Sequence, residues 1–253
     1  MPGLHFVKQG QGPVVVLSHA LGLDLQMWDG VAAALQDRFT VLRYDHRGHG
    51  KSPMVPGPCT MELLADDVAA LIRAQCDGPV HFAGLSLGGM TAQALAVRAP
   101  ELLASLCIVN SAAHYADTAP WAARMQTVRD KGTAAIADMS LDRWLTAGFR
   151  ATPEGAAMAN SLRAALLASD PSGYIGACEA IVAMDFRETD KHLSVPTLVV
   201  AGEHDLATPP ALSQVMADAI PGARLAFIAA AHISAAERPA ELAERITGFI
   251  QGL

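Results

Sequence analysis

Ser86 has the setting that most favours chemistry. It stands at the centre of Gly84-Leu85-Ser86-Leu87-Gly88, after the apolar run Val80–Leu85 and before a helix-forming stretch, Thr91–Arg98. A strand that turns sharply into a helix strains the backbone of its central residue. The residues two before and two after must be tiny, because strand and helix nearly touch there, and Gly84 and Gly88 meet that demand. The turn lifts the Ser86 hydroxyl out of the sheet. It also sets the Leu87 N–H at a helix N-terminus, aimed at an incoming oxyanion. That arrangement suits nucleophilic attack on an acyl carbon. The competing account, a glycine-rich turn whose serine caps the helix, leaves both flanking glycines unexplained.

A serine nucleophile needs a base and the base an acid, and after an elbow of this kind the acid precedes the histidine in the chain. Downstream of Ser86 stand His114, His192, His204 and His232. His232 follows the last predicted strand, Arg224–Ala229, in a loop that returns to the carboxyl edge where Ser86 sits. His114 and His192 read as surface or packing residues, and His204 adjoins the candidate acid and points the other way. That acid is Asp205, directly after the apolar run ending Leu-Val-Val-Ala-Gly-Glu-His-Asp. The other usual location, after the preceding strand, holds Asn110, which cannot be an anion. Asp205 is expected to accept the His232 Nδ1 hydrogen and fix the reactive tautomer; its bland reading is a turn or helix-capping residue. His232 then takes the Ser86 proton and returns one to the leaving group. A second backbone donor is expected from the Leu21 amide, in the loop after Val14–Ser18, with His19 orienting that loop. Trp28 reads equally as pocket lining or as a core aromatic.

The elements that must position these groups follow from the pattern along the chain. Short β-branched runs alternate with Ala/Leu-rich helical stretches, which reads as α/β: a mostly parallel sheet flanked by helices. Strands are predicted at Val14–Ser18, Thr40–Asp45, Val80–Leu85, Ser105–Asn110, Thr197–Ala201 and Arg224–Ala229. Thr60 reads as the cap of a helix through Ile72. Thr208 reads as the cap of a second helix with Pro209 and Pro210 in its first turn and an end near Pro221-Gly222. Residues 112–194 hold Trp121 and Trp144 and no convincing strand. They read as a helical cap inserted between core segments 1–111 and 195–253, or else as ordinary packing helices of the same domain.

Composition narrows the function class. With 253 residues, 51% hydrophobic content and 17% charged, the chain can bury one large core and is not a disordered segment. A net charge of −7 gives no basic footprint for nucleic acid or an anionic membrane. No apolar run approaches the ~18 residues of a bilayer span, and the N-terminus lacks a signal-peptide pattern. A cytoplasmic protein is expected. Cys59, Cys76, Cys107 and Cys178 are scattered, so neither zinc nor a disulfide framework is indicated, and they read as small buried hydrophobes. No metal and no cofactor is expected.

With these pieces placed, the chain resembles the α/β-hydrolase superfamily over its whole length. Asp45-His46-Arg47-Gly48-His49-Gly50-Lys51-Ser52 is similar to that superfamily's Asp-x-Arg-Gly-x-Gly-x-Ser loop, which holds a bend near the active site and matches no Walker-type phosphate motif. More closely, Ser-His-Ala-Leu-Gly-Leu-Asp, Gly-Leu-Ser-Leu-Gly-Gly-Met, Asn-Ser-Ala-Ala-His-Tyr and Ala-Ala-His-Ile-Ser resemble bacterial 3-oxoadipate enol-lactonases of the β-ketoadipate pathway. Ala20, where related enzymes carry glycine after the loop histidine, is expected in that subfamily. The resemblance implies a catalytic Ser86, Asp205 and His232. It also implies a five-membered enol-lactone substrate with a carboxymethyl arm. Arg124, Arg129, Arg143 and Arg150 are candidates to hold that arm, with Trp144 as an apolar wall.

Three rival functions share the fold. A general carboxylesterase or other lactonase would use the same triad, as would a cofactor-free perhydrolase. A hydrolase-fold ligand sensor would bind tightly without turnover. Dehalogenase and epoxide hydrolase chemistry would need a carboxylate at position 86.

Overall fold

The computed structural model describes residues 3–55 and 57–253; Met1, Pro2 and Pro56, within the stretch assigned to the core, lie outside the described residues. The β-branched runs pair into one seven-stranded sheet: β1 (Phe6–Gln9), β2 (Val14–Ser18), β3 (Thr40–Tyr44), β4 (Val80–Leu85), β5 (Leu103–Val109), β6 (Thr197–Gly202) and β7 (Arg224–Ile228). Their spatial order is β1-β3-β2-β4-β5-β6-β7. Every pairing is parallel except β1 with β3. Parallel strands are covered on both faces, which is why Val15–Leu17, Phe82–Leu85 and Leu198–Ala201 are apolar without alternation and buried.

Eleven helices are formed among the described residues. The core carries α1 (Asp29–Leu35), α2 (Met61–Gln75) and α3 (Leu87–Arg98). Between β5 and β6 come α4 (Ala119–Lys131), α5 (Ala137–Trp144), α6 (Ala147–Arg150), α7 (Pro153–Ala168) and α8 (Pro171–Ala183). The chain closes with α9 (Pro210–Ala219), α10 (Ser234–Glu237) and α11 (Pro239–Gln251). No helix is long and apolar enough to cross a membrane among the described residues.

Six strands form where the sequence predicts them, to within one or two residues at their ends. The seventh, β1, escapes sequence reasoning because Phe-Val-Lys-Gln is short and half polar, as an edge strand is. Thr60 caps α2 as expected, its Oγ1 accepting from Leu63 N at 3.2 Å, but the helix runs past Ile72 to Gln75. Thr208 does not cap α9. Pro209 occupies that position without a side-chain bond, and the Thr208 hydroxyl is used elsewhere. Cys107 and Cys178 are buried, whereas Cys59 and Cys76 are only half-buried.

Residues 112–194 form helices without a paired strand. Their two ends meet at a neck, where His114 and Asp185 form an isolated bridge and Phe186 N donates to Ala113 O at 2.9 Å. Val128, Ile136, Leu162, Leu166 and Tyr174 of this segment join the same apolar cluster as the sheet.

Candidate active site

Ser86 sits in the elbow between β4 and α3 with φ 56° and ψ −113°. The left-handed backbone of a non-glycine residue is held by its surroundings: Ser86 N donates to Val109 O at 2.9 Å, and Ser86 O accepts from Ser111 Oγ at 2.8 Å and Met90 N at 3.0 Å. A Cβ on Gly84 would lie 2.1 Å from Gly88 O, and one on Gly88 would lie 2.2 Å from Ser18 O. Neither site has room for a methyl group, and both contacts are with backbone.

The loop after β6 and the loop after β7 bring Asp205 and His232 together. Asp205 Oδ2 lies 2.8 Å from His232 Nδ1. A carboxylate oxygen accepts, so Nδ1 carries the hydrogen and Nε2 is left as the acceptor. Asp205 Oδ1 takes the amides of Ala207 (2.7 Å) and Thr208 (2.9 Å). Oδ2 takes Thr208 Oγ1 (2.6 Å) and Asn110 Nδ2 (2.9 Å) as well. Burial by itself pushes this carboxyl up. The charge and hydrogen bond of His232, with the Thr208 hydroxyl and amide, outweigh it and hold Asp205 at about 2. Sequence reasoning missed Thr208 and Asn110 as partners of the acid. The signal present was Asn110 itself, which stands where an acid was sought and instead donates to one.

Asn110 is in turn fixed, with φ 44° and Oδ1 accepting from Ser234 Oγ at 2.6 Å. Ser86 and His232 line one cleft of about 200 Å³, with Leu21 and Ala20 beside them. No hydrogen bond joins Ser86 Oγ to His232 among the described residues; in a site without substrate such contacts are often long.

The Leu21 loop is held from behind. His46 N donates to His19 Nε2 at 2.9 Å, so Nδ1 carries the His19 hydrogen and donates to Ala20 O at 2.8 Å. Burial first, then the neighbouring His49, press His19 down to about 3, so it stays neutral with both nitrogens engaged. Leu87 begins α3, and the first amides of a helix have no intrahelical acceptor, so its N–H is free to face an oxyanion. The Asp45–Ser52 loop is structural in its contacts. Asp45 accepts from Leu25 N, Lys51 N and His5 Nδ1, each at 2.8 Å, and Arg47 makes a two-pronged pair with Asp67 at 2.5 and 2.6 Å.

Residues 112–194 supply the rest of the wall. Trp144 and Arg143, at the end of α5, line the cleft as the sequence suggested, and so does Arg124 of α4. Arg124 lies over the Trp121 ring, 5.2 Å from its centroid, with Nη1 3.4 Å from Tyr174 Oη. Arg129 and Arg150 are engaged elsewhere, with Glu179 and Asp142. Tyr115, Trp121 and Tyr174 also line the cleft and were not singled out from sequence. Trp28 is corrected: it ends a short helical turn (Leu25–Trp28), is fully buried in the core and does not line the cleft. Among the described residues no group of three or more His, Cys, Asp or Glu is placed to hold a metal ion.

Comparison with known proteins gives the chain a family. A family model described as alpha/beta hydrolase fold matches residues 13–239. The chain is 36% identical over 239 residues to 3-oxoadipate enol-lactonase 2 of Acinetobacter baylyi, covering 93% of this chain and 88% of that protein. The crystal structure of the enol-lactonase from Burkholderia xenovorans LB400 superposes with a TM-score of 0.94 at 38% identity, covering 98% of this chain and 96% of that one. A thermophilic esterase from Thermogutta terrifontis, solved with malate bound, gives 0.91 at 31% identity, covering 98% and 93%.

Proposed function

We propose that this chain, which belongs to the alpha/beta hydrolase family and is a carboxylic-ester hydrolase, opens a small acidic enol-lactone through an acyl-enzyme on Ser86. The observation that carries the proposal is that His232, which lines the same cleft as Ser86, is paired with Asp205 at 2.8 Å. In it, His232 Nε2 takes the Ser86 proton as Oγ attacks the ring carbonyl carbon. The carbonyl oxygen becomes an oxyanion facing the Leu21 and Leu87 amides. Losing one such donor typically costs ~10²–10³ in rate. The C–O bond to the ring oxygen then breaks, His232 returns the proton, and the released enol becomes a ketone. Water deprotonated by His232 attacks the acyl-enzyme and frees the second carboxylate and Ser86.

For the relatives' named substrate the product is 3-oxoadipate, a dicarboxylate. Two arginines at the cleft, Arg124 and Arg143, supply positive charge for the carboxylate arm. Arg124 is held against Trp121 rather than left to solvent, and a related esterase binds malate, another dicarboxylate. In this reading residues 112–194 act as a cap, with Trp144 and Trp121 as its apolar face. A general esterase is the second reading, favoured by the similarity to the Thermogutta enzyme.

The test is loss of enol-lactone absorbance beside a short-chain aryl ester, with wild type and Ser86→Ala. A marked preference for the lactone and no turnover by folded Ser86→Ala are expected. Comparable turnover of both substrates would favour the esterase, and residual hydrolysis by the variant would remove Ser86 from the mechanism.

A further inference from the structure

Glu237 is a buried carboxylate that the mechanism above does not use. It ends the single turn α10, five residues after His232, and is 4% exposed. No Lys, Arg or His side chain pairs with it among the described residues. A carboxylate out of water is costly unless its oxygens are satisfied, and here they are met by three donors from two parts of the fold. Oε2 accepts from Ala231 N at 3.1 Å and from Thr146 N at 3.2 Å, and Oε1 accepts from Thr146 Oγ1. On the other side of the histidine, Ile233 N donates to Trp144 O at 2.9 Å. The amides flanking His232 are therefore both engaged, one by Glu237 and one by the 144–146 turn. That same turn carries Trp144, a wall of the cleft.

We propose that Glu237 is a positioning residue that locks the His232 loop to the turn Trp144–Thr146, so that the base and the roof of the cleft are set as one unit. The inference rests on the reading of His232 as the base. Misplacing a catalytic group by about 1 Å costs on the order of 10²-fold in rate, so a tether one residue from the base acts on kcat. Its other end acts on the roof, and so on KM.

The span of the side chain, rather than its charge, is what the tether needs. Gln keeps the length: its carbonyl oxygen accepts both amides while its NH2 donates to Thr146 Oγ1. Asp keeps the charge but is one methylene too short to reach Ala231 and Thr146 together.

The test compares Glu237→Asp, Glu237→Gln and Thr146→Val with wild type, each checked for folding by thermal denaturation. Three quantities are read: kcat and KM on a short-chain aryl ester, and the rate of Ser86 labelling by a small fluorophosphonate. Glu237→Asp should lose about 10²-fold in kcat and labelling rate, and Glu237→Gln should recover most of that loss. Thr146→Val keeps the Ala231 contact and should move KM more than kcat. Wild-type kcat in Glu237→Asp, or equal losses in the Asp and Gln variants, would overturn the proposal. If Glu237→Asp does not fold, the other two decide: a kcat loss in Thr146→Val as large as its KM change, or a Gln variant that labels about 10²-fold slower, overturns it as well. Failure of the triad reading shows separately, because wild-type protein would then not be labelled at Ser86.

Discussion

Thr208 illustrates how the Asp205 carboxylate is held. Its hydroxyl and its amide both serve Asp205, and its Oγ1 also lies 3.2 Å from His232 Nδ1. A hydrogen bond to a charged group is worth about 1.5–3 kcal/mol, so Thr208→Val should lower kcat roughly tenfold while Thr208→Ser stays near wild type. Steady-state kinetics of the two variants check this, and an unimpaired valine variant would show that the remaining donors suffice. The placement of Ser86, Asp205 and His232 was legible because each follows an apolar strand, in the chain order that goes with an elbow of this fold. Thr208 was not, since threonine before two prolines reads as a helix cap, and only the folded loop shows its hydroxyl turned to the carboxylate. Glu237 hid for a related reason. Two of its three donors lie 91 residues away in Thr146, beyond the reach of any local pattern.

The elbow is the element on which the conformation of Ser86 depends. Helix α3 lies so close to the sheet that Gly88 has the backbone of Ser18, the last residue of β2, where a methyl group would go. Gly88→Ala must therefore push α3 off the sheet or distort Ser86, at a cost in the upper range for single substitutions, on the order of 3–5 kcal/mol. A fall in soluble yield and in thermal midpoint, with loss of Ser86 labelling in what folds, is the expected outcome. An alanine variant of normal stability and activity would show that the approach is looser than 2.2 Å contact implies. Strands with a continuous apolar run were readable in this way, and their alternation with helices implied the mostly parallel sheet. The edge strand β1 was not, because its register with β3, Phe6 opposite Tyr44, is set by pairing with a neighbour rather than by its own apolar content. Trp28 failed for the opposite reason: an aromatic near the oxyanion loop fits core and pocket equally until the packing is seen.

Across the whole molecule, two buried carboxyl groups make stability depend on pH in opposite directions. Asp205 is depressed to about 2 from an ordinary value of 3.8, so its contribution is present above 3.8 and is lost as pH falls through about 2. Asp190 lies at the neck where residues 112–194 rejoin the core. It is fully buried, and neither of its side-chain oxygens has a hydrogen-bond partner among the described residues. Burial pushes it up to about 7. The folded protein therefore holds the Asp190 proton more tightly than the unfolded chain does. The group is neutral in both states well below 3.8, its ionisation opposes folding progressively as pH rises from 3.8, and the opposition is complete above about 7. Asp190→Asn, neutral at every pH, should stabilise the protein at pH 8 by on the order of 1–4 kcal/mol. Each kcal/mol corresponds to roughly 2–4 °C in Tm for a domain of this size. The gain should shrink toward zero near pH 4. Thermal denaturation of both proteins at pH 4, 6 and 8 checks it: a Tm difference that does not vary with pH would mean that Asp190 is not held neutral by burial, and that the neck carries an ionised carboxylate at no cost.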